Sequence, residues 1–437
     1  MYYLIETFGC QMNAHDSEVL AGLLEEMGYR PAKAREEADL ILLNTCCVRE
    51  SAENKVWGRL GVLKRLKREN PGLIIGVCGC MAQEEGTAER IRRRYPHVDL
   101  VFGTHNVHRL PDLIREARES NALVVEVLES EGGIVEHLPA KRAPGLSAWV
   151  TVMYGCNNFC SYCIVPYVRG RQRSREPRSV IDEVSSLFAE GYKEVTLLGQ
   201  NVNAYGRDLA EEYDFADLLS ELDRLDHAGR IRYMTSHPRD FSDKLIDVLS
   251  KTKHVCEHIH LPVQAGSDRI LSLMNRGYTR DGYLALVQRI RKAIPNASIT
   301  TDIIVGFPGE SESEFEETLD LVKQVRFDAA FTFVYSPRRG TRAAAMENQV
   351  PADEKQRRIT ALVELQNRIT KEVNNAMIGR IEEVLVEGPS EKEPEKLSGR
   401  TRGNKVVIID SKQHPGALVN VRITDGGTYY LKGEILR

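Results

Sequence analysis

Met153-Tyr-Gly-Cys156-Asn-Asn-Phe-Cys160-Ser-Tyr-Cys163-Ile-Val-Pro166 places three cysteines at C-x-x-x-C-x-x-C spacing. An apolar, β-prone run precedes it, Ala148-Trp-Val-Thr-Val-Met153, and Gly155, Asn157 and Asn158 then favour a loop. A loop can wrap three thiolates around one compact metal cluster, whereas a strand would send alternate side chains to opposite faces. A four-iron cluster has four corners, so three thiolates leave one iron open to a small-molecule ligand. Structural zinc normally takes a fourth protein ligand, and the neighbouring sequence supplies no His or Cys for it. A dithiol redox pair, Cys160 with Cys163, would leave Cys156 idle. Spacing alone favours the open-site cluster and leaves zinc and redox thiols as alternatives.

Working outward, 437 residues exceed one typical core and predict two to four domains. Hydrophobic content of 42% and charged content of 28% are those of a soluble globular chain. No window holds eighteen consecutive apolar residues, so no membrane span is expected. The start, Met1-Tyr-Tyr-Leu-Ile-Glu-Thr7, lacks the basic and apolar regions of a secretory signal. Nine cysteines without an export signal point to a reducing, cytoplasmic setting, where clustered thiols usually mean metal or catalysis. A net charge of −4 excludes a globally basic nucleic-acid binder and leaves any RNA contact to local basic patches.

Residues 1–117 read as a small doubly wound α/β domain. Tyr2–Phe8, Leu40–Leu43 and Leu73–Val77 are strand-like, with helical patterns between them. Cys10, Cys46 and Cys80 each fall just beyond the carboxyl end of one of these strands, the edge where parallel sheets bind ligands. They can converge there, or can simply be buried thiols, and spacing does not separate Cys46 from Cys47 or Cys80 from Cys78. Lys64–Arg68 and Arg90–Arg94 are basic stretches on predicted helices, read as solvated faces before RNA contacts. Residues 118–146 are a connector with a short strand near Leu123–Val127, then Gly132-Gly133, Pro139 and Pro144-Gly145. From 147 to 370 six βα units recur, with strands at Ala148–Met153, Glu194–Leu198, Ile231–Thr235, His258–Leu261, Ser298–Val305 and Ala330–Tyr335. A helix over 352–377, apolar at Leu362, Leu365, Ile369, Val373 and Met377, leads into a Gly-punctuated β-rich tail, 371–437. That tail reads as a small antiparallel β-barrel.

The cysteine loop resembles the cluster motif of the radical S-adenosylmethionine (SAM) superfamily. Further words are similar to one branch of it, the MiaB-type tRNA methylthiotransferases: Phe8-Gly-Cys10-Gln-Met-Asn13, Asn44-Thr-Cys46, Gly76-Val-Cys-Gly-Cys80, Gly199-Gln-Asn-Val-Asn203, Ser236-His-Pro-Arg239, His260-Leu-Pro-Val-Gln264 and Gly306-Phe-Pro-Gly-Glu310. The words span nearly the whole chain in the family's order. The resemblance implies a partial (β/α)6 barrel and SAM as cofactor. It also implies two [4Fe-4S] clusters, one on Cys156, Cys160 and Cys163 and one on Cys10, Cys46 and Cys80. It selects Cys46 and Cys80 over their neighbours, leaving Cys47 and Cys78 as packing thiols. Groups expected against SAM are Gln200, Asn201, Ser236, His237, His260 and Gln264, with Gly306 and Pro308 near its adenine. Amides suit an amino acid's carboxylate and ammonium, although a strand-end His or Asn is as readily a hydrogen-bonded turn residue. The tail resembles the TRAM domain of tRNA-modifying enzymes.

The activity so implied is methylthiolation of carbon 2 of N6-isopentenyl-adenosine beside a tRNA anticodon, with one SAM giving methyl and another a 5′-deoxyadenosyl radical. Gln11-Met12-Asn13 matches that branch. The alternatives are threonylcarbamoyl-adenosine in tRNA, a ribosomal-protein aspartate, or, in another class, an electron-transfer or RNA-binding scaffold protein. Arg169, Arg171, Arg173 and Arg175 alternate beside the cluster loop, and guanidinium forks suit the phosphates of an anticodon stem-loop. Two departures from the family pattern are Ala265, where Ser is usual, and Arg339 in Ser336-Pro-Arg-Arg339-Gly, where Pro is usual. An electron donor, a sulfur source and a monomeric state complete the expectation.

Overall fold

Leu40-Ile-Leu-Leu-Asn-Thr45 and Ile74-Ile-Gly-Val-Cys-Gly79 are buried at every position, as strands covered on both faces must be. The computed structural model describes residues 1–48, 50–120, 122–128, 132–142, 145–227 and 229–436. Strands β1 (Tyr2–Thr7), β2 (Arg30–Pro31), β3 (Leu40–Thr45), β4 (Ile74–Gly79), β5 (Leu100–Phe102) and β6 (Val124–Glu126) form one parallel sheet in the order β2-β1-β3-β4-β5-β6. Helices Glu50–Glu69 and Thr87–Arg94 pack on one face through Val56, Leu60, Leu63 and Ile91. Helices Gln11–Glu26 and Leu110–Glu119 cover the other through Leu20, Leu24, Leu113 and Ile114. The short strand expected in the connector is β6, the sheet's edge, so the first domain runs past residue 117. Pro144 of the connector lies outside the described residues.

Six further parallel strands follow: β7 (Ser147–Thr151), β10 (Glu194–Leu198), β11 (Arg230–Tyr233), β12 (His258–His260), β13 (Ser298–Val305) and β14 (Ala329–Val334). Between β7 and β10 lie β8 (Met153–Tyr154) and β9 (Arg173–Ser174), which pair antiparallel. The order is β7-β10-β11 and β12-β13-β14. The halves join where Ile231 bridges Val255 and where the Ser236 N–H donates to the His260 carbonyl at 3.3 Å. This arc is the expected partial (β/α)6 barrel. Val180, Val184, Leu218, Leu286, Leu321 and Leu362, from successive outer helices, share its core with strand residues such as Val150, Val195 and Ile303. Two of those helices begin in capping boxes, Asp214 with Asp217 and Ser311 with Glu314, which satisfy first-turn N–H groups.

The tail is a closed five-stranded barrel of β15 (Ile381–Pro389), β16 (Leu397–Thr401), β17 (Val406–Ile409), β18 (Leu418–Gly426) and β19 (Leu431–Ile435), in the order β15-β16-β17-β19-β18. It departs from the antiparallel expectation at one junction, because β17 and β19 run parallel. The last strand crosses over to close the barrel and leaves no free edge.

The tail docks at the amino ends of the barrel strands. Buried Arg230 donates to the Arg400 and Glu383 carbonyls (both 2.9 Å) and to the Glu383 carboxylate (2.8 Å). Arg232 donates to the Arg402 and Thr401 carbonyls at 2.7 and 2.8 Å, and Arg402 pairs with Glu257. The carboxyl ends, where the cysteine loop sits, are thereby left to the N-terminal domain. Thr151 bonds His15 at 3.1 Å, Arg338 pairs with Glu53 at 3.4 Å, and Ile164 and Val168 enter the N-terminal core.

Candidate functional site

Two cysteine triads stand on facing strand ends. In the N-terminal domain Cys10 precedes helix Gln11–Glu26, Cys46 follows β3 and Cys80 opens the short helix Cys80–Gln83 after β4. Gly9, at φ +133°, lets β1 end against β3. A Cβ there would lie 2.7 Å from the Cys46 Cβ and 3.2 Å from its sulfur. Gly79, at φ +89°, makes the same close turn, against Thr45 and Asn44. Asn13 gathers the loops by donating to the Thr45 carbonyl at 2.9 Å and the Phe8 carbonyl at 3.2 Å, while Cys10 Sγ donates to its Oδ1 at 3.6 Å. Burial pushes the Cys80 thiol up to about 11 and also raises those of Cys47 and Cys78. Such thiols stay protonated until a bound metal displaces the proton or a nearby cation stabilises the thiolate.

In the barrel, the Cys156 N–H donates to the Gly170 carbonyl at 3.1 Å and the Cys163 N–H to the Cys160 carbonyl at 2.9 Å. Gly155, at φ +72°, is required because a Cβ would collide with the Arg171 carbonyl. The loop is held from outside by Ser161, whose hydroxyl donates to the Leu273 carbonyl at 2.7 Å, and by Asn275, which donates to the Asn158 and Phe159 carbonyls. Buried Arg276 donates to Cys160 Sγ at 3.3 Å and to the Pro262 carbonyl at 2.8 Å. Burial, and next the neighbouring Cys160, push the Cys163 thiol up to about 12. Among the described residues no three His, Cys, Asp or Glu side chains close on a single metal ion. A cuboidal cluster takes one thiolate per iron, so its ligands stand apart, and an all-thiol donor set suits iron–sulfur chemistry.

The other predicted groups meet at the ends of β10, β11 and β12. Gln200 Oε1, Asn201 Oδ1, Ser236 Oγ, His237 Nε2 and Gln264 Oε1 are all buried without a hydrogen-bond partner. Buried polar atoms are normally paired, so five orphans around one barrel mouth fit a polar ligand. Thr235 and Gln264 hold positive φ of 70° and 71°, unusual outside glycine. Asn201 donates to Asp240 at 2.7 Å, and Asn203 and His237 exchange two backbone–side-chain bonds of 2.9 Å. His237 is pushed down to about 2, by burial first and then by Arg276, and is neutral. His260 differs: Thr300 engages its Nδ1 at 3.0 Å and Asp302 lies 3.4 Å from its Nε2. At Gly306 the close approach is to the Lys355 stem, and the Gly306 N–H donates to Glu310, which Arg358 holds in a buried pair. Pro308 lies in the same turn.

Two predicted RNA contacts are corrected. Arg169 is 6% exposed and donates to Asp16, Asn13 and Cys80. Arg175 is 7% exposed and is bound by Glu136, Glu183 and the Thr151 carbonyl. Neither can reach a phosphate. Arg171 is exposed, with its guanidinium 5.5 Å from the Phe159 ring, and half-buried Arg173 lies near Tyr154. Sequence reading missed Arg276, Arg358 and Asp240, which sit in no cysteine word. A separate cavity of about 380 Å³ between the domains is lined by His15, Asp16, Glu136, Tyr154 and Glu183 but by none of the cysteines.

Three family profiles match successive parts of the chain: the uncharacterized protein family UPF0004 over residues 2–103, the radical SAM superfamily over 150–322 and the TRAM domain over 375–436. A tRNA-2-methylthio-N(6)-dimethylallyladenosine synthase of Desulforamulus reducens is 59% identical, covering 99% of this chain and 95% of the relative. The chain belongs to the tRNA-2-methylthio-N(6)-dimethylallyladenosine synthase family. Another member of this synthase family, from Carboxydothermus hydrogenoformans, is 56% identical over 100% of this chain and 99% of its own. Among solved structures, the radical SAM methyltransferase TsrM of Kitasatospora setae aligns at TM-score 0.57 over 78% of this chain and 77% of its own. Its identity is 16%, a likeness of fold alone. As a radical SAM enzyme, this synthase-family chain uses SAM and a [4Fe-4S] cluster. No helix among the described residues is long and apolar enough to cross a membrane.

Proposed function

We propose that this chain methylthiolates carbon 2 of N6-dimethylallyl-adenosine beside the anticodon of tRNA, the reaction named for its relatives. The observation that carries the reading is the pair of three-thiol sites on facing strand ends, each donor set one short of a cluster's corners. Cys156, Cys160 and Cys163 would hold one [4Fe-4S] cluster and Cys10, Cys46 and Cys80 a second. When bound, these groups and SAM supply a 5′-deoxyadenosyl radical that takes the carbon-2 hydrogen, and a sulfur that carries a methyl from another SAM.

The remaining steps belong to the chain's own residues. Gln200, Asn201, Ser236, His237 and Gln264 direct unpaired polar atoms into the mouth, where they would orient the amino-acid end of SAM. Neutral His237 accepts from the Arg239 N–H at Nδ1 (3.2 Å) and so carries its proton on Nε2, which would donate to the SAM carboxylate and adds no charge beside the sulfonium. The N-terminal domain closes over the strand ends and excludes water from a radical. Arg171 and Arg173 border the mouth and would meet anticodon-loop phosphates, and the TRAM domain would hold the stem. The enzyme would act as a cytoplasmic monomer that draws on an external electron donor and sulfur source.

Nucleoside mass spectrometry of bulk tRNA from cells with and without the gene tests the substrate. Loss of the methylthio form with accumulation of dimethylallyl-adenosine supports it. Loss of methylthio only from threonylcarbamoyl-adenosine would move the assignment to that nucleoside.

A further inference from the structure

Arg169 lies six positions after Cys163, a reach of at most about 20 Å even when fully extended. A helical turn, Val165–Val168, shortens it. The segment is fixed in the N-terminal domain, where Ile164 and Val168 join its core and the Thr104 hydroxyl donates to the Val168 carbonyl at 2.6 Å. At its end the Arg169 side chain is buried. Its Nε donates to Cys80 Sγ at 3.2 Å, and one terminal nitrogen donates to Asn13 Oδ1 at 3.3 Å and Asp16 Oδ2 at 2.5 Å. The next residue, Gly170, accepts from the Cys156 N–H at 3.1 Å. One short stretch thus holds a thiol of one triad and the backbone of a cysteine of the other.

Hydrogen bonds to ligand sulfur and local net charge set the potential of an iron–sulfur cluster. A guanidinium is a permanent cation with fixed donor directions, so it favours the more negative, reduced form. Arg276 makes the matching bond to Cys160 at 3.3 Å, but its other partners are the Pro262 carbonyl and the Tyr162 and Tyr278 hydroxyls. Arg169 alone of the two has a carboxylate, Asp16, that moderates its charge and locks its fork. We propose that Arg169 is a positioning residue that raises the reduction potential of the cluster on Cys10, Cys46 and Cys80 and fixes that cluster relative to the barrel loop. This rests on the two-cluster reading above.

The test uses the full chain with Cys156→Ala, Cys160→Ala and Cys163→Ala, reconstituted anaerobically with iron and sulfide. Redox titration followed by electron paramagnetic resonance then compares native Arg169 with Arg169→Gln and Arg169→Lys. Expected are equal iron contents and, in Arg169→Gln, a reduced-to-oxidised ratio at fixed potential at least tenfold lower, a shift of about −59 mV for a one-electron couple. Arg169→Lys keeps the charge and recovers most of the shift. In the chain that keeps all nine cysteines, the barrel cluster's resonance signal is unchanged by Arg169→Gln. An unchanged midpoint and line shape in an iron-loaded Arg169→Gln protein overturns the proposal. Where Arg169→Gln holds no iron, Asp16→Asn decides: release of the guanidinium from its counter-charge moves the midpoint positive, and no movement overturns the proposal. If native Arg169 protein lacking the barrel cysteines takes up no iron, the two-cluster reading itself falls, and the proposal with it.

Discussion

Arg358→Met removes a guanidinium whose side chain is 1% exposed and leaves the Glu310 carboxylate, also 1% exposed, with only the Gly306 N–H at 2.7 Å. Arg358 also donates to the Glu310 carbonyl at 3.0 Å and pairs with Glu354, so one substitution strands several acceptors. Breaking a buried pair from one side costs about 3–5 kcal/mol. Burial already raises the Glu310 carboxyl above its usual range with Arg358 in place, and without Arg358 it rises further. A carboxyl whose folded pKa exceeds its unfolded one binds its proton more tightly when folded. Its stabilising share is therefore complete below the unfolded pKa, near 4.3, and is lost as pH rises through the folded value. The loss in Arg358→Met is accordingly largest at pH 8 and shrinks toward pH 5. Glu310→Gln in the same chain restores most of it, because a neutral amide needs no counter-charge. Urea unfolding followed by circular dichroism at the two pH values, on the single and double variants, measures this. A loss under about 1 kcal/mol at pH 8, or one independent of pH, would refute the reasoning.

Gly155→Ala forces a Cβ into the Arg171 carbonyl at positive φ, so iron bound by the barrel triad is lost while that of the N-terminal triad remains; iron analysis on each triad's Cys→Ala background reads this directly. Arg230→Ala strands the Arg400 and Glu383 carbonyls and costs about 2–3 kcal/mol of domain docking, seen as faster proteolysis between barrel and tail. His237, neutral down to about pH 2, gives SAM binding no inflection between pH 5 and 8; an inflection near 6.5 that vanishes in His237→Asn would contradict this. Gln264→Leu removes an orphaned oxygen from the mouth and weakens SAM binding by about tenfold with iron content unchanged, as equilibrium binding to the reconstituted protein would record.

The strands that carry the cysteines were legible because apolar runs buried on both faces read as parallel strands, and topology then assigns their carboxyl ends to ligands. The barrel's six strands followed the same logic. Directions of side chains outside regular structure did not. Arg169, Arg171, Arg173 and Arg175 alternate in sequence like one face of a strand, but β9 covers only Arg173–Ser174 and Arg169 ends a helical turn. Two of the four therefore turn inward to carboxylates that distant segments supply, Asp16 from the first helix and Glu136 from the connector. Arg276 could not be read at all, since it meets Cys160 across 116 residues with no motif of its own. The parallel β17–β19 pair escaped because loop composition marks where strands break, and not which neighbour the last strand chooses.

The most direct test is to give the anaerobically reconstituted full chain SAM, a reductant, sulfide and tRNA bearing dimethylallyl-adenosine, and to digest the tRNA for mass spectrometry. The expected result is the 2-methylthio nucleoside, accompanied by equal amounts of 5′-deoxyadenosine and S-adenosylhomocysteine, with the nucleoside abolished by alanine at any of the six cysteines. SAM cleavage without methylthio product, or product that survives loss of Cys10, Cys46 or Cys80, would contradict it.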